Sequence, residues 1–305
     1  IIEKISEVLL QNRKLSVSLL NRFVEYKKND LTGNTFFTDT LLSLPQKPNL
    51  STDLGNVFHG FIASYLNEVC KAGSKTEAEL ISEARDALAA LDHPQLDLRH
   101  LEQRFDLLCQ YFLPPFTGRL GAECCAEQSF TTLLNGVPLT GRIDLLIKDQ
   151  TTQTLTIYDY KTGTVKRASE LGSGYLRQLQ FYKLLLENKE EFAGWKVVGG
   201  ADIYVEPDTK NNFALAPEEF IFTGDEESEH LQALIAAVWN RLQSSLIDTS
   251  DFLLSEELAV LKAQSVYKTN SGNHQRGDLK EPSTEEYQRA YEQWLIADYH
   301  RRTSA

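Results

Sequence analysis

The sequence lacks methionine, has four cysteines, and has no apolar run near the roughly 18 residues that a membrane helix needs. Its first residues, Ile-Ile-Glu-Lys-Ile-Ser-Glu, also lack the charged and then apolar segments of a secretory signal peptide. These absences predict a cytoplasmic protein without a membrane segment. Because no methionine stands at position 1, we expect the 305 residues to belong to a longer polypeptide.

Positive charge is scarce as well. Lysine and arginine number 31 and aspartate and glutamate 43, which gives a net charge of −12. A free-standing nucleic-acid binder neutralises phosphates with clustered cations, so this balance argues against one. It does not exclude a small site that reaches phosphate through metal ions.

The cysteines do not have the spacing of a metal site. They are Cys70, Cys109, Cys124 and Cys125, and no two are separated by the two residues that are typical of zinc or iron–sulfur ligands. We expect reduced, mostly buried thiols.

The apolar periodicity predicts helices, then a mostly antiparallel sheet interrupted by a helix, then helices again. Helices are expected at 16–23, 55–69, 76–91, 97–113, 174–188, 227–246 and 281–299, and strands at 128–134, 138–148, 153–161, 195–206 and 213–223. Ser16 and Ser18 are candidate N-caps, Pro114-Pro115 should end a helix, and residues 29–53 should be irregular. The fold class is therefore mixed α/β.

Two predicted strands carry the acidic residues of interest. If they form a hairpin around Asp149–Thr154, centred between residues 151 and 152, Asp144 lies directly opposite Asp159, with Cβ atoms about 5 Å apart. Lys161 shares a face with Asp159, and the same register places Ile143 opposite Tyr160 on an apolar face. Opposed carboxylates are destabilising unless a cation lies between them, and carboxylate oxygens are the ligands that Mg²⁺ prefers. The hairpin therefore predicts a divalent-metal site with an ammonium group two residues away.

Six short motifs occur in an order that resembles one family. They are Ser16-Val-Ser18-Leu-Leu20, Gly55-Asn-Val-Phe-His59, a glutamate at Glu127, Gly141-Arg-Ile-Asp144, Asp159-Tyr-Lys-Thr-Gly163 and Gln178-Leu-Gln-Phe-Tyr182. The set resembles the RecB-like branch of the PD-(D/E)XK nucleases, found at the C-termini of bacterial helicase–nucleases of the RecB, AddB and UvrD/Rep-related types. The resemblance spans about residues 15–190.

The resemblance implies a restriction-endonuclease-like core, with a central mixed sheet flanked by helices and helical additions at both ends. It implies that one or two Mg²⁺ or Mn²⁺ ions are held by His59, Asp144, Asp159 and the backbone carbonyl of Tyr160, while Lys161 acts on the water and the scissile phosphate. Substrate-binding roles are implied for Glu127, Gln178 and Tyr182. Some relatives hold an iron–sulfur cluster with three cysteines after the last motif. Every cysteine here precedes Asp144, so we expect no cluster.

The resulting expectation is a single nuclease domain over 1–305, with a motif-bearing core at about 15–223 and a C-terminal helical extension at about 224–305. Its substrate would be single-stranded DNA, delivered by an attached or associated SF1 helicase motor in recombination or repair. One alternative is a catalytically inactive nuclease fold that docks DNA ends or helicase subunits. A stand-alone nuclease is the other, and the net charge disfavours it.

Overall fold

The computed structural model describes residues 13–24, 36–43, 49–69, 71, 73–93, 97–118, 120, 123–163, 173–207, 218–220, 226–244 and 284–304. The α-helices are α1 (Val17–Val24), α2 (Leu50–Glu68), α3 (Glu77–Ala89), α4 (Leu98–Leu107), α5 (Leu113–Thr117), α6 (Ser173–Glu187), α7 (Glu226–Gln243) and α8 (Thr284–Thr303). The strands are β1 (Cys124–Leu134), β2 (Val137–Asp149), β3 (Thr154–Lys161), β4 (Lys196–Tyr204) and β5 (Glu218–Phe220). Among the described helices, none is long and apolar enough to cross a bilayer.

The strands form one mixed sheet in the order β1-β2-β3-β4-β5. Neighbouring strands are antiparallel except β3 and β4, which are parallel and are connected through α6. A parallel pair needs such a crossover, because the chain must return to the edge where the first strand began. The mixed α/β class and the central mixed sheet are confirmed. Of the predicted strand 213–223, residues 218–220 form β5 and the others lie outside the described residues.

Helices cover both faces of the sheet. On one face, α1, α6, α7 and α8 pack against strand residues that include Phe130, Leu139, Ile157 and Val197. On the other, helices α2 to α5 pack against a second set that includes Leu145, Tyr160 and Ile203. The C-terminal helices therefore share one core with the N-terminal helix α1.

Local sequence explains the helix starts. The Ser16 hydroxyl accepts the backbone N–H of Leu19 at 3.1 Å, which confirms the predicted cap of α1. Asn49 caps α2 by accepting the backbone N–H of Ser51 at 3.0 Å. That helix therefore begins at Leu50, within the stretch predicted to be irregular, because the cap signal at Asn49 outweighs the neighbouring turn formers.

The prolines do not end the fourth predicted helix. After α4, a π-helical turn (Leu108–Phe112) leads into α5, whose first turn contains Pro114 and Pro115. Proline is tolerated in a first turn because the N–H that it lacks has no partner within the helix there. The helical path therefore continues to Thr117.

The predicted hairpin register is confirmed from Asp149↔Thr154 to Leu145↔Tyr158. The expected pair of Asp144 and Asp159, one step further, is not part of this ladder, and the apolar pair of Ile143 and Tyr160, two steps further, is wrong. Ile143 packs in the core with α6, and Tyr160 packs in the core with α2. The β2–β3 ladder ends at Leu145, so Ile143 and Tyr160 are not held on one face.

Candidate metal centre and active site

The site lies where β3 separates from β2. Beyond Leu145 the backbone N–H of Tyr160 donates to Oδ2 of Asp144 at 2.7 Å, so a side chain replaces the acceptor that the strand would supply. Further along, Leu15 occupies the same edge of β2, donating to the Pro138 carbonyl at 2.7 Å and accepting from the Thr140 N–H at 2.9 Å. Asp144 is therefore at a gap in the edge of β2, between β3 and the segment that contains Leu15.

Three potential metal ligands meet at this gap. Ligand atoms of His59, Glu127 and Asp144, from α2, β1 and β2, all lie within 4.8 Å of one another. Nδ1 of His59 is 3.4 Å from Oδ2 of Asp144 and 3.8 Å from Oε1 of Glu127. The imidazole plane is fixed by an edge-on contact with the Tyr160 ring, at 5.5 Å between centroids. This group offers one nitrogen and two carboxylates to a single point.

Glu127 reaches this point through an unusual backbone conformation. Its φ is 52°, although its neighbours Ala126 and Gln128 pair regularly with Leu145 and Ile143. A left-handed conformation at a non-glycine residue costs on the order of 1–3 kcal/mol, and such strain concentrates at functional sites. The Glu127 carboxylate also pairs with Nε of the exposed Arg142 at 2.5 Å.

A second cluster lies beside the first, centred on Lys161. Its ammonium forms an ion pair with Asp159, donates to Oε1 of Gln178 at 3.1 Å and lies 3.5 Å from Oδ1 of Asp202. Nε2 of Gln178 donates in turn to Oδ1 of Asp159 at 2.7 Å and to the Tyr182 hydroxyl at 3.2 Å. Gln178 and Tyr182 are one turn apart on α6, so this helix closes the cluster.

Burial and crowding of carboxylates shift the pKa values. Burial raises the pKa of Asp159 to about 7, with Lys161 opposing and Asp144 adding to the rise. Burial would lower the pKa of Lys161, but Asp159 and Asp202 together raise it. The pKa of His59 is likewise raised overall, by its hydrogen bond with Asp144 and by that charge, against the effect of burial. The two clusters together therefore carry more negative charge than the cationic side chains within them neutralise.

The predicted residues divide between the two clusters. His59 and Asp144 lie together as expected, and Glu127, expected to contact substrate, lies among the potential metal ligands. Asp159 is not in that group, and Lys161 and Gln178 engage its carboxylate. Tyr182 is buried, with its hydroxyl bonded to Gln178.

Two acidic residues at the end of β4 escaped the sequence analysis. Asp202 is fully buried and lies beside Asp159 in the parallel register. Glu206 binds the Arg104 guanidinium through two hydrogen bonds of 2.6 Å and accepts the backbone N–H of Gly163 at 2.6 Å. It thereby fixes the turn after Lys161, where Gly163 has a φ of 97° that favours glycine. In the sequence, the signal for Asp202 is a single aspartate within the largely apolar predicted strand 195–206.

A family model described as the PD-(D/E)XK nuclease superfamily matches residues 33–260. The chain belongs to this superfamily. Its mixed sheet flanked by helices is the restriction-endonuclease-like core that was expected. The RecB-like branch and an attached helicase go beyond what the match covers.

The chain is also similar to solved structures of other proteins. A protein from Eubacterium rectale described as a putative exonuclease shares 13% identity, with coverage of 76% of this chain and 82% of that one and a TM-score of 0.47. A protein designated SSO0001 shares 15% identity, with coverage of 75% and 86% and a TM-score of 0.28. A search of curated protein sequences finds no match.

PD-(D/E)XK nucleases typically use divalent metal ions, and the residues present fit one. Carboxylate oxygen and imidazole nitrogen both bind divalent ions such as Mn²⁺. Burial and the charge of Asp144 raise the pKa of Glu127, which is the kind of repulsion that a bound cation relieves. His59, Glu127 and Asp144 would hold the ion, and the participation of Asp159 and the Tyr160 carbonyl stays a prediction.

Proposed function

We propose that this chain is a metal-dependent deoxyribonuclease that hydrolyses phosphodiester bonds with Mg²⁺ or Mn²⁺. The observation that carries the proposal is the meeting of two clusters at one gap in the sheet. His59, Glu127 and Asp144 form a group that could hold a metal ion. Asp144 also accepts the backbone N–H of Tyr160, the β3 residue between Asp159 and Lys161. A divalent ion in such a site polarises the phosphate and lowers the pKa of a bound water.

Lys161 would act on the substrate. Its ammonium is held by Asp159 and Gln178 and lies 4.6 Å from the centre of the Tyr175 ring. A positioned cation beside the reacting phosphate can orient the attacking water and stabilise the negative charge that develops. Burial keeps this charge effective, because less water screens it.

The biological setting that we propose is a single nuclease domain of a bacterial helicase–nuclease, in the cytoplasm, acting in DNA recombination or repair. The order of the six motifs supports the RecB-like assignment. The net charge of −12 supports a tethered enzyme, because a nuclease attached to a motor receives its strand at high effective concentration and needs little affinity of its own. Single-stranded DNA is the substrate that such a motor would supply.

The test is cleavage of labelled single-stranded DNA by the 305-residue chain with Mg²⁺, with Mn²⁺ and with EDTA. We expect cleavage only with metal. Lys161→Ala should lower the rate by about 10²–10³, the size expected for one preorganised electrostatic group, while Mn²⁺ binding measured by calorimetry persists. Lys71→Ala is the matched control, because Lys71 is exposed at the end of α2.

Two results would overturn the proposal. One is a folded, metal-loaded wild-type chain that cleaves neither single-stranded nor double-stranded DNA, which would favour the inactive docking module. The other is a Lys161→Ala variant that binds Mn²⁺ and cleaves at the wild-type rate.

A further inference from the structure

A cationic pocket of about 360 Å³ lies at the start of α1, apart from the two clusters. It is formed by the segment that precedes α1, by α1 itself, by Thr40 and by β2. Its polar lining includes three cations and three hydroxyl groups, namely Arg13, Lys14, Arg22, Ser16, Ser18 and Thr140. None of the described residues that line it is acidic, although acids outnumber bases in this chain.

The positive charge of this pocket is not neutralised by the described carboxylates. No ion pair joins Arg13, Lys14 or Arg22 to an acidic side chain in the described part of the chain. The Arg13 guanidinium donates to two backbone carbonyls, of Thr40 at 3.0 Å and Leu41 at 2.8 Å. These bonds hold the guanidinium in place. Because the carbonyls are uncharged, the guanidinium keeps its full positive charge, and the pocket suits an anion.

The pocket also accounts for the first motif of the chain. Ser16 caps α1, Leu20 is buried in the core, and Ser18 is exposed on α1 and lines the pocket. In the part of the chain that the structure describes, no aromatic side chain lines the pocket for a base to stack on. A nucleic acid would therefore be contacted here through its phosphates, which carry no base sequence.

Both the pocket and the metal-ligand group border β2. Thr140 lines the pocket, and Asp144 lies four residues further along the strand, a distance of about 13 Å. The two places are close enough for one nucleic-acid strand to contact both.

Hydrogen bonds also connect α1 to the helix that holds Gln178. Asn21 donates to the Gly174 carbonyl at 3.3 Å and accepts from Arg177 at 2.8 Å, and both partners are on α6. The pocket is thus held at a fixed distance from the site.

We propose that this pocket binds a phosphate group of the nucleic-acid strand that is cleaved at the metal-ligand group. The inference rests on the proposed function and deepens it, because it assigns a second contact on the substrate strand. The phosphate is either an internal diester or a terminal monoester of that strand. Either would anchor the strand at a second point away from the scissile bond and would set the direction in which it lies.

The test uses Lys14→Gln/Arg22→Gln in the full chain, because both side chains are exposed and their loss should spare folding. Arg13 is left in place, since it holds backbone carbonyls. The control is Lys71→Gln/Arg99→Gln, which removes the same charge from exposed positions elsewhere. Binding of a fluorescent single-stranded 16-mer is measured by anisotropy in EDTA at several salt concentrations, so that cleavage is not needed for the readout.

We expect the pocket variant to bind the oligonucleotide about tenfold more weakly. The slope of the logarithm of the binding constant against the logarithm of salt concentration should become less steep by about 0.7 for each lost phosphate contact. Oligonucleotides with a 5′-phosphate, a 3′-phosphate or hydroxyl ends distinguish binding of an internal diester from binding of a terminal monoester. An equal loss on all three assigns an internal diester, and a loss confined to one phosphorylated end assigns a terminal monoester. In cleavage assays the variant should raise KM and leave kcat within about twofold. The lost contact is far from the scissile bond and is made equally in the ground state and in the transition state.

The proposal is overturned if the pocket variant keeps the wild-type affinity and salt slope, or if the control loses as much. A chain that cleaves nothing but loses affinity through the pocket variant would refute the proposed nuclease activity and leave the phosphate pocket standing.

Discussion

Asp202 and Asp159 lie side by side on the parallel strands β3 and β4, and the Lys161 ammonium contacts both carboxylates. Asp202 is completely buried, and Asp159 nearly so. Two ionised carboxylates on neighbouring strands in such a buried place are stable together only beside a cation. Lys161 is therefore positioned by two acids on neighbouring strands.

Asp202→Asn tests this positioning role. The variant removes one of the two charges that hold the ammonium while it keeps the shape of the side chain. We expect kcat to fall by about 10–100-fold, the usual size for residues that orient a catalytic group. Mn²⁺ affinity should stay within a few-fold, because Asp202 is not in the metal-ligand group.

The matched control is Asp86→Asn, on the exposed face of α3. A merely structural role would lower the urea midpoint of unfolding and leave kcat of the folded fraction unchanged. That result would remove Asp202 from the site.

Glu127→Gln distinguishes a metal ligand from a substrate contact. The ligand atoms of His59, Glu127 and Asp144 lie within 4.8 Å of one another, so loss of the Glu127 charge should weaken Mn²⁺ binding by about tenfold or more. Calorimetry on the chain without DNA measures this directly. Glu123→Gln is the control, since Glu123 is exposed just before β1. Unchanged Mn²⁺ affinity together with a higher KM for DNA would return Glu127 to the substrate-binding role.

The sequence was sufficient for the parts of the site that depend on short-range geometry. The Asp149–Gln153 turn and the alternation of the two strands determine which residues of β2 and β3 face each other, so the register could be predicted. Asp202 could not be placed, because β4 joins β3 only after the crossover through α6. Glu127 was assigned to the substrate because nothing in its neighbours signals a φ of 52°.

The stability of the metal-free protein should fall as pH rises from about 4 to about 7. Asp159 has a pKa of about 7 in the fold and 3.8 when unfolded, so the folded state retains a proton that the unfolded state has lost. This stabilisation is complete below about pH 4, declines through pH 7 and is absent above it, and it amounts to a few kcal/mol. The raised pKa values of Glu127 and His59 act in the same direction.

Urea unfolding in EDTA at pH 5 and pH 8 measures this effect, and Asp159→Asn isolates it. The variant should lose less stability than the wild type between the two pH values. Mn²⁺ should bind more tightly at pH 8 than at pH 5, because its ligands must lose their protons first. Parallel pH curves for wild type and Asp159→Asn would contradict the assignment of this proton to Asp159.

Gly141 allows α6 to approach β2, and a methyl group there should disturb the site. A Cβ atom at this position would lie 2.9 Å from Cδ2 of Leu185 and 3.0 Å from Cε1 of Tyr182. We expect Gly141→Ala to destabilise the fold by about 1–3 kcal/mol through overpacking. Tyr182 receives a hydrogen bond from Gln178, so a shift of this ring should also lower kcat, by up to about 100-fold.

Gly60→Ala is the control, because a methyl group there meets no atom within 4 Å. It should stabilise α2 by up to about 1 kcal/mol, since alanine favours a helix more than glycine does. A double-mutant cycle with Leu185→Val identifies the cause of the Gly141→Ala effect. If the clash with Leu185 is responsible, the shortened side chain relieves it, and the two unfolding free-energy changes should deviate from additivity by about 0.5–3 kcal/mol. Strict additivity would mean that Leu185 is not the cause, and the cost would then arise from the contact with Tyr182 or from the backbone of β2.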